Sequence, residues 1–148
     1  MATRKKKIRS PGPFGHSGPT AAEARRRFSP GGSGMTPHEA ELHRSFVELS
    51  KEVPPSSKKP LALLIMPSGK IHLLDDISYN TLRAAIGGGM VEPVTLISGN
   101  MIIVDEEGRM KNMPLNRDAT LIVGRQLGVP IVGPMVWIPK ANKRKALK

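Results

Sequence analysis

Between residues 61 and 139 the chain consists of short apolar runs separated by turn residues, and this alternation constrains the fold more than any other feature. Residues 61–66, 71–74, 90–97 and 101–105 are rich in Val, Ile, Leu and Met, as strands are. Glycine-containing turns separate several of them, including Ser98-Gly99-Asn100, a hairpin signal. Runs this short predict the strands of one small sheet.

Two stretches with helix signals interrupt the strands. The first helix is predicted to start at residue 76 or 78 and to reach residue 86, where the three glycines of residues 87–89 end it in the left-handed conformation. The second is predicted to start at residue 116 or 118 and to end near residues 127–128. Residues 129–138 form a last strand, with Pro130 marking its start and Pro134 an edge or a bulge. The predicted order is β-β-α-β-β-α-β. We therefore expect an α+β fold: a small mixed, mostly antiparallel sheet with both short helices packed on one face.

Residues 35–53 predict an amphipathic helix that precedes the sheet. Thr36 is placed to cap it, Pro37 suits its first position, and Glu39 completes a capping box. One apolar stripe runs along this helix: Leu42, Phe46, Leu49 and Val53. Two interpretations stay open, because the stripe could dock on the parent domain or bind a partner, including a second copy of the chain.

The domain organisation follows from these elements. Residues 1–34 are predicted to be a disordered basic tail, since their prolines and Gly-Ser run leave too few apolar residues to bury a face. Residues 54–60 form a linker and residues 61–139 a compact α+β domain. Residues 140–148 are predicted to be a second disordered basic tail.

Charge is distributed unevenly over the 148 residues. The net charge is +11, but residues 61–139 hold 6 Lys/Arg and 7 Asp/Glu and are almost neutral. Residues 1–60 hold 12 Lys/Arg against 5 acids, and residues 140–148 hold 5 Lys/Arg and no acid. Basic tails of this kind favour polyanions, nucleic acid first and an anionic membrane surface second.

The sequence lacks the residues that several functional classes require. The chain has no cysteine, which excludes disulfides, thiolate nucleophiles and Cys-based zinc sites. No apolar run is long enough for a membrane span, and no apolar stretch follows the charged start as in a signal peptide, so a cytoplasmic location in a bacterial host cell is expected. His16, His38, His43 and His72 fit no metal or catalytic pattern. We predict a non-enzymatic protein without a metal or other cofactor.

The basic clusters are the strongest functional signal. Few aromatic residues are interleaved with them, so phosphate contacts with weak sequence selectivity are expected instead of base stacking, and a merely solubilising role stays open. The predicted nucleic-acid-binding residues are Arg4, Lys5, Lys6, Lys7, Arg9, Arg25, Arg26, Arg27, Lys140, Lys143, Arg144 and Lys145.

A possible ligand pocket is predicted at the start of the second helix, formed by Asn116, Arg117, Asp118 and Thr120. Free N–H groups at a helix N-terminus attract anions, and Arg117 would add a clamp. Simple capping by Asn116 explains the same residues.

Two other groups admit a functional and a structural interpretation. The glycines 87–89 follow a helix and precede a strand, the reverse of a phosphate-binding loop, which favours a helix cap. Asp105, Glu106 and Glu107, with Glu92 on a neighbouring strand, could bind a metal or transfer protons, although Glu106-Glu107-Gly108 is also an ordinary polar turn.

An ordered set of motifs gives the domain a family resemblance. They are Gly87-Gly88-Gly89-Met90-Val91-Glu92, Ile102-Ile103-Val104-Asp105-Glu106-Glu107-Gly108, Met113-Pro114-Leu115-Asn116-Arg117-Asp118-Ala119-Thr120 and Ile131-Val132-Gly133. Over about residues 61–139 the chain resembles the family catalogued as domain of unknown function 3846, whose members are short proteins largely of bacteriophages, plasmids and their hosts. Asp105 stands where that family often has Asn. The resemblance implies a phage or mobile-element setting and no particular activity.

These observations together predict an accessory protein that binds nucleic acid, or a nucleoprotein complex, through its basic tails while the domain contacts a host or phage protein. Two alternatives stay open: a small-ligand binder that sequesters a nucleotide-like or anionic signal, and an inhibitor of a host protein. A homo-oligomer is compatible with either.

Overall fold

A computed structural model describes residues 34–148 of the chain. Helix α1 (Pro37–Lys51) is followed by strands β1 (Ala62–Ile65) and β2 (Ile71–Leu74), helix α2 (Tyr79–Ala85), and strands β3 (Val91–Thr95) and β4 (Met101–Asp105). Next comes a helix of three consecutive parts, α3 (Arg117–Ala119), a π-helical turn (Thr120–Gly124) and α4 (Arg125–Leu127), here called the α3–α4 helix. Strand β5 (Met135–Ile138) and a 3-10 helix (Lys140–Lys145) complete the order. The predicted order of strands and helices is confirmed.

The five strands form one sheet in the order β2-β1-β5-β4-β3, and every neighbouring pair is antiparallel. The two hairpins β1–β2 and β3–β4 are joined by β5, which pairs with β1 on one side and with β4 on the other. The strand predicted over residues 129–138 is shorter in the structure and lies at the centre of the sheet, so of the two interpretations of Pro134, an edge or a bulge, the edge is wrong. Pro134 directly precedes β5, where its missing N–H costs the ladder nothing.

Helices cover both faces of the sheet, so the prediction that both short helices pack on one face is wrong. On the first face, Leu63, Ile102 and Trp137 pack with α1 and the α3–α4 helix. On the second face, Ala62, Ile103, Val136 and Ile138 pack with α2 and with Ala146. Strands buried on both faces explain why β1 and β5 are apolar at successive positions instead of alternating.

Helix α1 belongs to the core, which favours the docking interpretation of its stripe. Thr36 caps it as predicted, since its Oγ1 accepts from the Glu39 N–H at 3.1 Å. The Glu39 side chain does not return to complete a capping box. Instead its buried Oε2 accepts hydrogen bonds from Ser98 Oγ at 2.7 Å, from Asn100 Nδ2, and from Trp137 Nε1 at 3.3 Å. One carboxylate thus ties α1 to the β3–β4 turn and to β5.

The C-terminal residues 140–148 also differ from the prediction, because they are folded against the domain. The Asn142 Nδ2 donates to Leu61 O at 3.0 Å, and the Leu147 N–H donates to Ile77 O at 2.8 Å. Ala146 is buried in the second core. Helix α1 and this segment thus both pack against the predicted domain of residues 61–139.

We expect Leu42→Ala to lower the free energy of unfolding by about 2–5 kcal/mol, because Leu42 is 5% exposed within the first core and truncation leaves a cavity. Urea denaturation of the full chain measures this change. The control Val47→Ala lies on the same helix at a side chain that is 39% exposed and should cost less than about 1 kcal/mol. Equal losses in the two variants would contradict the docking of α1.

We expect Gly87→Val to destabilise the fold by about 1–2 kcal/mol, because Gly87 follows α2 with a φ of 104°, which a β-branched residue adopts only with strain. The Gly87 N–H donates to Ala84 O at 3.1 Å and so helps to close the helix. Thermal or urea unfolding measures the effect. Gly87→Asn should lose less, since Asn tolerates positive φ better, and indistinguishable stabilities of wild type and Gly87→Val would refute the capping role.

Candidate nucleic-acid interface

The 3-10 helix holds the C-terminal basic residues in a fixed position on the domain. Lys140 donates its N–H to Asn100 Oδ1 at 2.8 Å, and the stem of its side chain lies across Gly99, where a Cβ would come within 2.8 Å of Lys140 Cδ. The bonds of Asn142 and Leu147 described above fix the rest of the segment. The backbone that carries its lysines and arginine is therefore held in one position relative to the β3–β4 turn.

These residues form an open groove of about 940 Å³, here called the basic groove. Its lining residues are Gly99, Met101, Lys140, Ala141, Lys143 and Arg144. None of the acidic side chains in residues 34–148 lines it. Lysine ammonium groups attract phosphate as point charges, and a guanidinium can bind two phosphate oxygens at once. Lys145, also predicted, is exposed on the same short helix. The structure thus brings Lys140, Lys143 and Arg144 together.

The other predicted nucleic-acid-binding residues, Arg4, Lys5, Lys6, Lys7, Arg9, Arg25, Arg26 and Arg27, lie outside the described residues.

Asn116 caps the α3–α4 helix, which confirms the structural interpretation of this residue. It is fully buried, its Oδ1 accepts from the Ala119 N–H at 3.0 Å, and its Nδ2 donates to Ile65 O and Gly133 O at 2.9 Å each. Its polar atoms are therefore occupied by the fold.

The hydroxyl of Thr120 is likewise occupied by hydrogen bonds within the fold. Its hydroxyl donates to Asn116 O at 2.7 Å and accepts from the Ile131 N–H at 2.9 Å. Arg117 and Asp118 are exposed, and Asp118 lines a cavity that faces α1. Of the four residues of the predicted ligand pocket, Asn116 and Thr120 therefore form hydrogen bonds within the fold. Arg117 and Asp118 lie at the surface.

Within the acidic group around β4, Asp105 is held by Lys111. Asp105, whose side chain is only 1% exposed, accepts from Lys111 Nζ at 2.7 Å and from the Glu107 N–H at 2.9 Å. Burial by itself raises the pKa of Asp105, but these bonds and the Lys111 charge outweigh it and hold the pKa below the ordinary 3.8. Among residues 34–148 no group of three His, Asp or Glu side chains is placed to hold a metal ion.

The histidines have separate surroundings. The ring of His43 meets Trp137 edge to face at 5.9 Å, so it packs against the first core. His72 is exposed on β2, and His38 lies at the rim of the cavity next to α1. His16 lies outside the described residues.

Sequence reasoning missed two features of the surface. Gly99 and Met101 form a wall of the basic groove, although the hairpin that carries them was predicted. Glu41 and Asp118 face one cavity, although they are far apart in the chain. No local sequence pattern indicates either arrangement, because each depends on which helix packs over which strand.

We expect Lys111→Met to destabilise the fold by about 1 kcal/mol at pH 7 and by much less near pH 2. Asp105 has a lowered folded-state pKa, so its contribution is present above the ordinary carboxyl pKa and is lost as the pH falls through the folded value. Urea unfolding of wild type and variant at both pH values measures the difference. The control Lys51→Met breaks an exposed pair with Glu48 and should change little at either pH. A cost that is the same at both pH values would contradict this account of Asp105.

Comparison with known proteins identifies the family. The chain belongs to the family described as Domain of unknown function (DUF3846), whose model matches residues 59–146, more than half of the chain. The match includes the 3-10 helix that carries the basic groove. No curated protein and no solved structure matches the chain. Within the described part of the chain, every helix is too short or too polar to cross a lipid bilayer.

Proposed function

We propose that this protein is a non-enzymatic accessory protein of a phage or mobile element that binds nucleic acid, or a nucleoprotein complex, through basic segments while the domain contacts a second partner. The observation that carries the proposal is the basic groove. Lys140, Lys143 and Arg144 line it together, and no acid lies among its lining residues. The mobile-element setting is what the family resemblance implies.

Rigid presentation makes these cations better phosphate ligands than the same residues on a disordered tail. The segment is already fixed by Asn100, Leu61 and Ile77, so binding orders little further chain. The groove is open, which suits a continuous polyanion better than a ligand that must be enclosed.

Weak sequence selectivity follows from the lining residues. Base-edge readout needs polar groups directed into a groove of the duplex, and base stacking needs aromatic side chains. The basic groove offers methionine, alanine, glycine and three cations. With no aromatic side chain among these lining residues, base stacking is not expected, and phosphate contacts by the three cations should let DNA and RNA both bind in a salt-dependent way.

The basic residues before residue 34 extend the same proposal. If the cluster Arg4–Arg9 contributes its own phosphate contacts, the full chain releases more counterions than the groove alone. In that case removing residues 1–33 should make the salt dependence shallower without abolishing binding.

The test is titration of labelled random-sequence duplex DNA with the full chain at several salt concentrations. Neutralising the groove with Lys140→Gln, Lys143→Gln and Arg144→Gln should make the log–log salt slope shallower by about 2–3, since each phosphate contact contributes about 0.9. Substitution is preferable to truncation, because Ala146 and Leu147 belong to the fold.

A charge-matched control separates the groove from net charge. Lys58→Gln, Lys59→Gln and Arg109→Gln remove the same charge at exposed positions outside the groove and should change the slope by less than one contact, about 0.9. Equal effects of the two triple variants would show that the groove has no special role. Absence of DNA and RNA binding at low salt would overturn the proposed function.

A further inference from the structure

A second concave surface differs from the basic groove in its chemistry. A cavity of about 240 Å³ lies between α1, the α3–α4 helix and the strands β1 and β2, and we call it the α1–β2 cavity. Its apolar lining includes the buried residues Leu42 and Ile65, and two of its apolar residues are well exposed, Ile71 at 39% and Leu121 at 59%. An apolar lining that reaches the surface suits the aliphatic part of a ligand.

Two carboxylates lie on the lining of the same cavity. Glu41 projects from α1 and Asp118 from the α3–α4 helix, and both are exposed. Neither carboxylate has a side-chain hydrogen bond or an ion pair with any residue in the range 34–148. The remaining polar lining residues are His38 and Ser45, and no lysine or arginine of the described part of the chain lines the cavity. On a chain of net charge +11, this is a local negative site that selects a cation.

The strand beside the cavity has a free edge. β2 is the outermost strand next to β1, and none of the described residues pairs with its other side as a strand. The Met66 N–H donates to Lys70 O at 2.9 Å, and hydrogen-bonded pairs alternate along an antiparallel ladder. By this alternation the backbone N–H and C=O groups of Ile71 and Leu73 point away from β1. They are available to an added strand.

The cavity and the free edge lie on the same face. Ile71 pairs with Ile65, whose side chain belongs to the first core, and both residues line the cavity. A residue added opposite Ile71 would direct its side chain to that face, because directly paired residues share a face. Strand addition therefore carries one side chain of the incoming segment toward Glu41 and Asp118.

We propose that β2 and the α1–β2 cavity form a docking site for an extended polypeptide that adds a strand to β2 and inserts an arginine or lysine side chain into the cavity. The aliphatic stem would pack against Ile71 and Leu121, and the charged head would meet the two carboxylates. A volume of about 240 Å³ lies below the roughly 300–1,000 Å³ of ordinary small-molecule pockets, which fits a single long side chain. Main-chain bonds supply affinity and the pocket supplies specificity, as in other strand-addition sites.

The probe is a short blocked peptide of alternating valine and threonine with one central arginine, titrated into the isotope-labelled full chain and followed by the amide resonances. The amides of Ile71 and Leu73 and the resonances of the cavity lining should shift. A peptide with glutamate in place of the arginine should bind at least about tenfold more weakly, the loss expected for one charge-assisted contact. N-methylation of the alternate peptide amides that face β2 should cost a similar factor.

Variants of the protein test the cavity itself. The double variant Asp118→Asn, Glu41→Gln should weaken binding of the arginine peptide by about tenfold or more. Glu48→Gln is the matched control, since Glu48 lies exposed on the same helix, pairs with Lys51 and does not line the cavity. The nucleic-acid salt slope of these variants reports on the basic groove separately, so failure of one proposal does not imply failure of the other.

Three outcomes overturn the docking proposal. Arginine methyl ester binding as tightly as the peptide would indicate a small-cation pocket without strand addition. Self-association of the chain that is abolished by Asp118→Asn and Glu41→Gln, without peptide binding, would assign the surface to a second copy. Equal binding of the arginine and glutamate peptides would remove the role of the carboxylates.

Discussion

The buried carboxylate of Glu39 is the interaction on which the first face of the sheet depends. A carboxylate removed from water is costly to bury unless it is hydrogen-bonded. Oε2 of Glu39 receives bonds from Ser98, Asn100 and Trp137, whereas its buried Oε1 has no hydrogen-bond partner among residues 34–148. These partners come from a hairpin turn and from the central strand. The same contact positions α1 over Trp137 and so determines which face of that helix is left for the α1–β2 cavity. It also fixes Asn100, whose Oδ1 holds Lys140 at the start of the basic groove.

Local signals in the sequence predicted much of the fold. Thr36 and Asn116 cap their helices, Gly87 ends α2, and the turn at residues 98–100 joins two strands, because each of these depends on a few adjacent residues. The faces of the sheet could not be predicted. Apolar positions on β1 and β5 are buried on both sides, so periodicity gives no indication of which helix covers which face.

Residues 140–148 were predicted to be a disordered tail because of their basic composition, but they are folded against the domain. A run with five basic residues in nine resembles a solvated tail, but the positions that matter are the uncharged ones. Asn142, Ala146 and Leu147 each contact the domain, whereas Lys140, Arg144, Lys145 and Lys148 are exposed and Lys143 is half-buried. Composition thus drew attention to the basic residues of the groove but gave no indication of their fixed geometry, whereas Glu41 and Asp118 were brought together only by tertiary packing.

The central position of β5 has a consequence for the order of events during translation. Strands β1–β2 and β3–β4 form two local hairpins, but only residues 135–138 connect them into one sheet. While those residues are still inside the ribosome, both hairpins expose the inner edges that β5 will occupy, and such edges can pair with other chains. The five-stranded sheet can therefore form only after residue 138 has left the ribosome. A premature stop before residue 135 should yield an aggregation-prone product and not a smaller folded domain.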